Sequence, residues 1–340
     1  MRPGFFAFRR TLAFGIAVVS LLPIVVAGQT TAAPKTPASK KSAALPRTPW
    51  GDPDLEGLWS NTTTTPLERL PEASDKQVLT DEERTALARR VAERLNADRQ
   101  PERPGQIVAY NEFWYERGTL NNRTSLIIDP PDGKLPPFTP EAQNRYDAWA
   151  KVRADQRFAS AQEMGAYDRC ITRGMPGAML PGFYNHNYHI LQTPGYVAIV
   201  VEMIHDARII PVDGRPHLNK DLRQWLGDSR GHWEGDTLVV ETTNLNDKVF
   251  ERAAATGFGG NMRMVERFRR IDADTIDYQF TVNDPTTFTK PWTVAAPMTK
   301  VQGPLYEYAC HEGNYALPHA LSGSRAEEKA VADEAKKESR

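Results

Sequence analysis

The chain has 340 residues, which is enough for one large domain or two small ones with a sizeable hydrophobic core. Lys and Arg together number 42 against 43 Asp and Glu, so the formal net charge is −1. This balance argues against a nucleic-acid partner or an anionic membrane surface, because both attract strongly basic proteins. We therefore expect the partner to be a small-molecule ligand or substrate.

The N-terminus has the pattern of a secretory signal peptide, predicted over residues 1–27. The basic pair Arg9–Arg10 precedes an apolar run from Leu12 to Ala27, and a mature chain would begin near Gly28. The run is short and contains Pro23, so no stable membrane insertion is expected after processing. The sequence therefore predicts an exported protein, periplasmic or secreted.

Residues 28–49 are rich in Ala, Pro, Thr and Lys and predict a disordered linker. Residues 50–160 predict an N-terminal strand, ending near Trp59, and a helical segment packed on a barrel. Thr80 and Glu83 form a capping-box pattern that opens one helix. Pro140 in a first-turn position opens a second helix that runs to about Ala154.

Residues 161–322 predict an antiparallel β domain. Met262, Met264, Glu266 and Phe268 alternate with Arg263, Val265, Arg267 and Arg269, as the two faces of a strand do. Gly235 predicts a tight two-residue turn of type II′ after Glu234. Further strands are predicted near 292–300 and 305–310. The fold class is mainly β with a helical N-terminal part, forming an antiparallel up-and-down β-barrel or a two-sheet sandwich.

The last residues, 323–340, predict a charged tail that is either helical or disordered. Cys170 and Cys310 are the two cysteines of the chain, so only one intramolecular pairing can form. In an oxidising compartment we expect a disulfide between them. The alternative is two free thiols, one of them a nucleophile.

Glu202 interrupts the apolar run Tyr196–Ile204, and a buried carboxylate must be paired or change its pKa. If His205–Ala207 is the loop of a hairpin, Glu202 and Arg208 lie diagonally on one face and can form an ion pair. This pair is either a working site or a purely structural contact that fixes strand register.

The chain has no phosphate-binding glycine loop or dinucleotide fingerprint. Carboxylates on inward strand faces can instead have their pKa values pushed apart, as acid–base chemistry requires. The candidate catalytic residues are Glu202, His205, Arg208, Glu266, His311 and Glu312. The candidate ligand-binding residues are Asp213, Arg215, His217, Trp225, Trp233 and Tyr308. Arg208 and Arg215 are the candidates for holding an anionic group.

A metal site is the other chemical hypothesis. His205, His217 and His311, together with Glu202 or Glu312, have side chains that bind divalent metals, although their spacing does not require it. No cofactor follows from the sequence with certainty, and a divalent metal remains an open alternative.

Three blocks, Glu202–His217, Gly231–Asn244 and Tyr308–Tyr315, resemble a widespread family of exported bacterial proteins with no assigned reaction. That resemblance implies export and supplies no catalytic residue. The short motif Gly57-Leu-Trp59 is similar to the Gly-x-Trp of lipocalin-like barrels, which implies a barrel rather than a sandwich.

The sequence thus predicts an exported enzyme, a hydrolase, lyase or isomerase, that uses acid–base chemistry on a small organic substrate in a β-barrel cavity. Two alternatives remain: a non-catalytic, lipocalin-like carrier of an apolar ligand, and a metal-dependent hydrolase.

Overall fold

A computed structural model describes residues 45–73, 76–99, 111–155, 158–248 and 260–338. The predicted signal peptide and all but the last five residues of the predicted linker lie outside the described residues. The helices are α1 (Asp81–Leu95), α2 (Pro140–Asp155) and α3 (Ala316–Glu338). The strands are β1 (Gly57–Ser60), β2 (Ile127–Asp129), β3 (Asn187–Thr193), β4 (Tyr196–Val201), β5 (Ala207–Pro211), β6 (Asp228–Glu234), β7 (Thr237–Thr243), β8 (Arg263–Arg270), β9 (Thr275–Asn283), β10 (Trp292–Ala295) and β11 (Met298–Lys300). Single 3-10 turns lie at Pro71–Ala73, Ala97–Arg99, Glu112–Trp114, Ala161–Glu163 and Met203–His205.

The strands form a nearly closed, barrel-like antiparallel sheet, which confirms the predicted fold class and its barrel alternative. The order around the sheet is β5-β4-β3-β1-β11-β9-β8-β7-β6. Two meanders, β3 to β5 and β6 to β9, are joined through β1 and β11. The N-terminal strand β1 therefore lies inside the sheet, paired with β3 on one side and β11 on the other.

The end strands β5 and β6 meet in parallel. Every neighbouring pair along the nine-stranded path is antiparallel. An odd number of strands in strict alternation leaves the first and last strands pointing the same way. They approach closely: a side chain added at Gly231 of β6 would lie 2.8 Å from Val212 Cγ1 and 3.1 Å from Ile210 Cγ2. We call this junction the seam; the described residues show no ladder of hydrogen bonds across it.

The strand predicted near 292–300 is two strands. Pro297 lies between β10 and β11 and has no N–H to donate, so continuous pairing is interrupted there. Both strands pair with β9, at Phe280 and Ile276 respectively, and β10 also pairs with β2. The strand predicted at 305–310 was wrong, because that stretch forms no ladder. Tyr308 and Cys310 pack on the core from this loop, whereas Tyr306 is exposed.

The barrel interior is filled by large side chains. Alternate residues of β8 and β9 are buried, as predicted, including Glu266 and Phe268. The largest side chains with under 2 % exposure are Trp59, Trp292, Tyr188, Tyr278, Phe268, Phe280 and Phe288. Because these rings fill the space between opposite strands, the interior is a packed core in the manner of small barrels.

The predicted helices α1 and α2 are confirmed. The Thr80 side chain accepts a hydrogen bond from Glu83 N, and the Glu83 carboxylate accepts one from Thr80 N. Helix α3 begins within the segment predicted as β domain and continues through the predicted tail. It is attached to the segment between α2 and β3, because Ser324 Oγ accepts from Phe158 N at 3.0 Å. No helix in the described ranges is long and apolar enough to cross a membrane.

The predicted pairing of Glu202 with Arg208 was wrong. Strand β4 ends at Val201, and Arg208 pairs with Ile199 rather than with Ile204. The loop between β4 and β5 is longer than three residues, because Glu202 already leaves the strand and Val201 N donates to Asp206 O at 2.7 Å. Arg208 consequently points into the barrel, where its carboxylate partner is Glu266 of β8.

The predicted disulfide between Cys170 and Cys310 is present. It joins the segment before β3 to the loop after β11, across 140 residues of sequence. Asn314 Nδ2 also donates to Cys310 O at 3.1 Å, which holds the end of that loop in place. The bond therefore ties the segment before β3 to the loop after β11.

Candidate functional site

At the N-terminal ends of β5 and β6, the seam opens into a cleft of about 520 Å³. We call it the seam cleft. Its wall from β5 and the preceding loop consists of Asp206–Ile209, and its wall from β6 and the preceding turn consists of Arg223–Ser229, with Ile171 between them. Gly227 allows the tight turn into β6, since it has a φ of +73° and a Cβ there would lie 2.6 Å from Thr243 O. The strands approach closely at Gly231, in the middle of β6, and the cleft lies towards their N-terminal ends.

Asp206 is the titratable group that the β4–β5 loop presents at the seam cleft. Its Oδ2 accepts a hydrogen bond from Thr172 Oγ1 at 2.8 Å, and Thr172 is fully buried. Burial raises the pKa of Asp206 above its ordinary value, and the bond from Thr172 opposes the shift only partly. The carboxyl is thus held in one orientation, and its pKa is higher than that of an exposed aspartate.

The loop that carries Asp206 is strained. Ile204 has a φ of +61°, which is rare for a β-branched residue, and His205 has a φ of +47°. Such a conformation costs on the order of 1–3 kcal/mol. Ile204 is 1 % exposed, and burial of its side chain offsets that cost. The conformation reverses the chain within five residues and directs Asp206 towards the seam.

A buried ion pair lies on the barrel side of the cleft. The Arg208 guanidinium donates to both carboxylate oxygens of Glu266, with Nη1 2.9 Å from Oε1. The Tyr278 hydroxyl donates to the same Oε1 at 2.9 Å. Both charged side chains are at most 1 % exposed. Burial, reinforced by the charge of Glu266, raises the pKa of Tyr278 well above its ordinary value. Tyr278 therefore stays protonated and acts as a donor.

Arg208 connects the seam to the strands beyond it. Its Nη2 lies 3.4 Å from both Ser229 Oγ of β6 and Thr242 Oγ1 of β7. Its Nε is buried and has no hydrogen-bond acceptor among the described residues. Nearly all buried donors in proteins are paired, so this N–H is an exception inside the barrel.

Asp228, at the start of β6, is a second carboxylate in the cleft wall, and it is fully engaged. Its Oδ2 is 2.8 Å from His217 Nδ1 and accepts from Leu218 N at 3.0 Å. Its Oδ1 accepts from Arg230 Nη1 at 2.6 Å. The other ring nitrogen of His217 is 3.6 Å from Glu241 Oε1. Asp228 therefore orders the β6 end of the cleft and holds His217 behind it.

Glu202, the leading candidate from the sequence, does not line the seam cleft. It is 3 % exposed, and its carboxylate accepts from Asn187 Nδ2 at 2.7 Å and from Tyr306 N at 3.4 Å. Burial, with the charge of Glu202 as the lesser cause, raises the pKa of Glu116 above its ordinary value. Glu202 lies within ion-pair distance of no cation in the described part of the chain.

The remaining predicted catalytic residues group around the loop after β11. His205 and His311 are exposed and their rings lie 6.4 Å apart in a stacked arrangement. Glu312 is exposed beside them. Within the described ranges, no group of three or more His, Cys, Asp or Glu side chains is arranged to hold a metal ion. The histidines proposed as a metal set are divided between this loop and the His217–Asp228 contact.

The predicted ligand-binding residues are also divided. Trp225 lines the seam cleft and is half-buried, whereas Asp213 and Arg215 form an exposed ion pair outside it, with Arg215 Nη2 2.7 Å from Tyr196 Oη. Tyr308 packs on the barrel core, and its side chain forms a hydrogen bond with that of Tyr167. Trp233 is half-buried and packs against the core.

Asp206, Thr172 and Arg223 are among the residues of the site that were not sequence candidates. In the sequence, Asp206 belongs to the short loop predicted between two strands, where an aspartate is common. Thr172 is separated from it by 34 residues, so no local pattern relates the two. Arg223 is an exposed residue of the turn before β6, where a cation ordinarily indicates only solvation.

Comparison with known proteins found no match to this chain. No protein-family model, curated protein or solved structure matches this chain. The family resemblance of the three sequence blocks therefore stays a prediction, and function has to be argued from the site.

Proposed function

We propose that this protein is an exported enzyme that acts by acid–base chemistry on a small organic molecule bound in the seam cleft, with Asp206 as the proton-transferring group. The observation that carries the proposal is a carboxyl with a burial-raised pKa in the wall of a cleft. A general acid or base works best when its pKa lies near the working pH, and aspartates reach that range through burial.

The surroundings of Asp206 support this role. The bond from Thr172 fixes one carboxylate oxygen, and the neighbouring ion pair of Arg208 and Glu266 is rigid and buried. Preorganised groups of this kind lower the cost of orienting a substrate and stabilise charge as it develops. Export is supported by the disulfide, since such bonds persist in oxidising compartments.

The test is Asp206→Asn, which keeps the shape of the side chain and removes its proton-transfer capacity. We expect the variant to fold and to bind ligand while its kcat falls about a hundredfold or more. The pH–rate limb that reports Asp206, displaced above the ordinary aspartate range, should disappear. Turnover would be measured by screening chromogenic esters, lactones and isomerisable carbonyl compounds with the purified mature protein.

Asp236→Asn is the matched control, because Asp236 is exposed and pairs with Arg47 away from the cleft. It should leave both kcat and the pH profile unchanged. If Asp206→Asn keeps turnover within a few-fold of the parent, Asp206 is not the acid or base. A protein that binds ligand in the cleft and shows no turnover would instead be a carrier.

A further inference from the structure

We propose that the edge of β5 in the seam cleft binds a short extended peptide, which adds to the sheet as a further strand. The inference rests on the proposed function, since it uses the same cleft, and it deepens that function by naming the class of ligand. Four features carry it: the direction of the backbone groups of β5, the position of Pro211, the parallel seam and the lining of the cleft.

The backbone groups of β5 alternate between β4 and the seam. Val201 N donates to Asp206 O at 2.7 Å, which places Asp206 in hydrogen-bonded register with β4. Only every second residue of an antiparallel strand bonds to a given neighbour, so Arg208 faces β4 as well, whereas Ala207 and Ile209 direct their N–H and C=O groups away from it. Both of these residues are exposed and line the cleft, and the described residues show no ladder from them to β6.

Pro211 lies on the same edge. It is two residues beyond Ile209, so its backbone also faces the seam, and it has no N–H to donate. Proline within a sheet is confined to edges of this kind. Sequence and geometry therefore agree that no strand of the described residues pairs with this side of β5. The groups on it that can bind a further strand are the N–H and C=O of Ala207 and Ile209.

The parallel seam leaves a place for a strand of the opposite direction. β5 and β6 run parallel, whereas every neighbouring pair along the nine-stranded path is antiparallel. A peptide that runs opposite to β5 is therefore also antiparallel to β6, which continues the alternation of the sheet. The close contact at Gly231 confines it to the N-terminal end of the seam. The edge at Asp206–Ile209 offers a ladder of about four residues, or roughly 13 Å.

The lining of the cleft fits a peptide. Two acids and two arginines of the described residues line it, so its charge selects neither an anionic nor a cationic ligand. The hydrogen-bonding groups of the β5 edge are neutral and complement an amide backbone. Ile171, Trp225 and Leu226 supply apolar surface for alternate side chains of the peptide. A volume of about 520 Å³ is within the range of ligand sites and admits a peptide of this length.

The test begins with a phage-displayed library of random hexapeptides that is selected on the mature protein. The enriched peptides are synthesised with capped ends, and fluorescence anisotropy measures their affinity. We expect binding to weaken about tenfold or more in Ile209→Pro, because one main-chain donor of the ladder is lost. The ladder between β4 and β5 should persist in this variant, since the N–H of Ile209 faces away from β4.

Ile209→Val is the matched control, because it keeps both the main-chain N–H and a branched side chain, and it should bind the peptides as the parent does. N-methylation of the peptide gives a second measure. In a ladder it should weaken binding at every second residue and leave binding unchanged at the residues between them. Unchanged affinity in a folded Ile209→Pro, equal effects at consecutive N-methyl positions, or no enriched peptide with saturable binding would each overturn the inference. If Ile209→Pro does not fold, the N-methyl series decides.

A second copy of the chain is the alternative occupant of this edge. Sedimentation velocity would then show a dimer that Ile209→Pro dissociates and that the selected peptides do not displace. That result would contradict the peptide inference as well.

The outcome is separable from that of the proposed function. Peptide binding is measured without turnover, so a protein that shows the alternating N-methyl effect and keeps full activity as Asp206→Asn would contradict the acid–base role alone. A protein that binds no peptide, yet loses turnover of a small substrate as Asp206→Asn, would contradict the peptide inference alone.

Discussion

Glu266 and Arg208 show what a single buried ion pair contributes at the scale of one residue. Each group alone would pay several kcal/mol to leave water, and the pair is retained because two guanidinium donors and the Tyr278 hydroxyl satisfy the carboxylate. Glu202 is comparably buried, but it is satisfied by an amide and a backbone N–H. Of these two buried carboxylates, only Glu266 balances a buried positive charge. Replacing each one by Gln should therefore lower the stability by different amounts.

Glu266→Gln should destabilise the protein by about 3–5 kcal/mol, because it leaves the Arg208 charge buried without a counter-charge. Glu202→Gln, the control, should cost less, since it strands no cation. The double change of Glu266→Leu and Arg208→Met should recover much of the loss of Glu266→Gln. Urea unfolding followed by circular dichroism measures all three. Equal losses for Glu266→Gln and Glu202→Gln would contradict the assignment of the ion pair.

At the scale of elements, the seam depends on the absence of a side chain at Gly231. Strands β5 and β6 have no backbone ladder between them among the described residues, so their association relies on side-chain packing of Ile210 and Val212 against the bare β6 backbone. The same lack of a ladder allows the strands to separate further along and form the cleft. The close contact at Gly231 and the cleft therefore have the same cause, a parallel junction of β5 and β6 without a backbone ladder among the described residues.

Gly231→Ala should destabilise the protein by about 1–3 kcal/mol, because the new methyl would overlap Val212 Cγ1 and the seam must open to accept it. The control is Gly323→Ala in α3, where a Cβ would meet nothing within 4 Å. That change should stabilise by roughly 0.5–1 kcal/mol, as alanine does in a helix. Thermal unfolding of both variants checks the contrast, and an unchanged stability of Gly231→Ala would contradict the tight closure.

At the scale of the whole molecule, one covalent bond closes a loop that contains nine of the eleven strands of the described residues. The Cys170–Cys310 disulfide closes 140 residues, and between its ends lie β3 to β11. The chain-entropy model assigns about 4–5 kcal/mol to a loop of this size, although measured values are usually smaller. The bond also anchors the loop after β11. This loop lies beside the loop that carries Asp206, since the rings of His311 and His205 stack with their centroids 6.4 Å apart.

The double substitution of Cys170 and Cys310 by Ala should lower the free energy of unfolding by several kcal/mol at most and leave the barrel folded. Reduced wild-type protein should show a similar loss. Denaturant titration, with thiol counting on the oxidised protein, measures both effects. Free thiols in folded, oxidised protein, or an unchanged unfolding midpoint, would contradict the structural role of the bond.

The sequence by itself determined the features whose cause is local or periodic. The capping box of Thr80 and Glu83 depends on residues three apart, and the turn at Gly235 requires one residue with positive φ, which it has. Period-two alternation located the inward face of β8, including Glu266. Two cysteines permit one pairing, so the disulfide followed from their number and from the predicted export.

Only the tertiary structure decided the partner of each inward charge. The Glu202–Arg208 pairing assumed a three-residue loop, and the strained conformation at Ile204 and His205 ended the strand earlier. The actual partner of Arg208 is 58 residues away, brought near by barrel closure. The seam cleft likewise depends on the number of strands in the sheet, a global property. A side chain's chemistry is set by the groups that face it across the fold, and no local pattern records them.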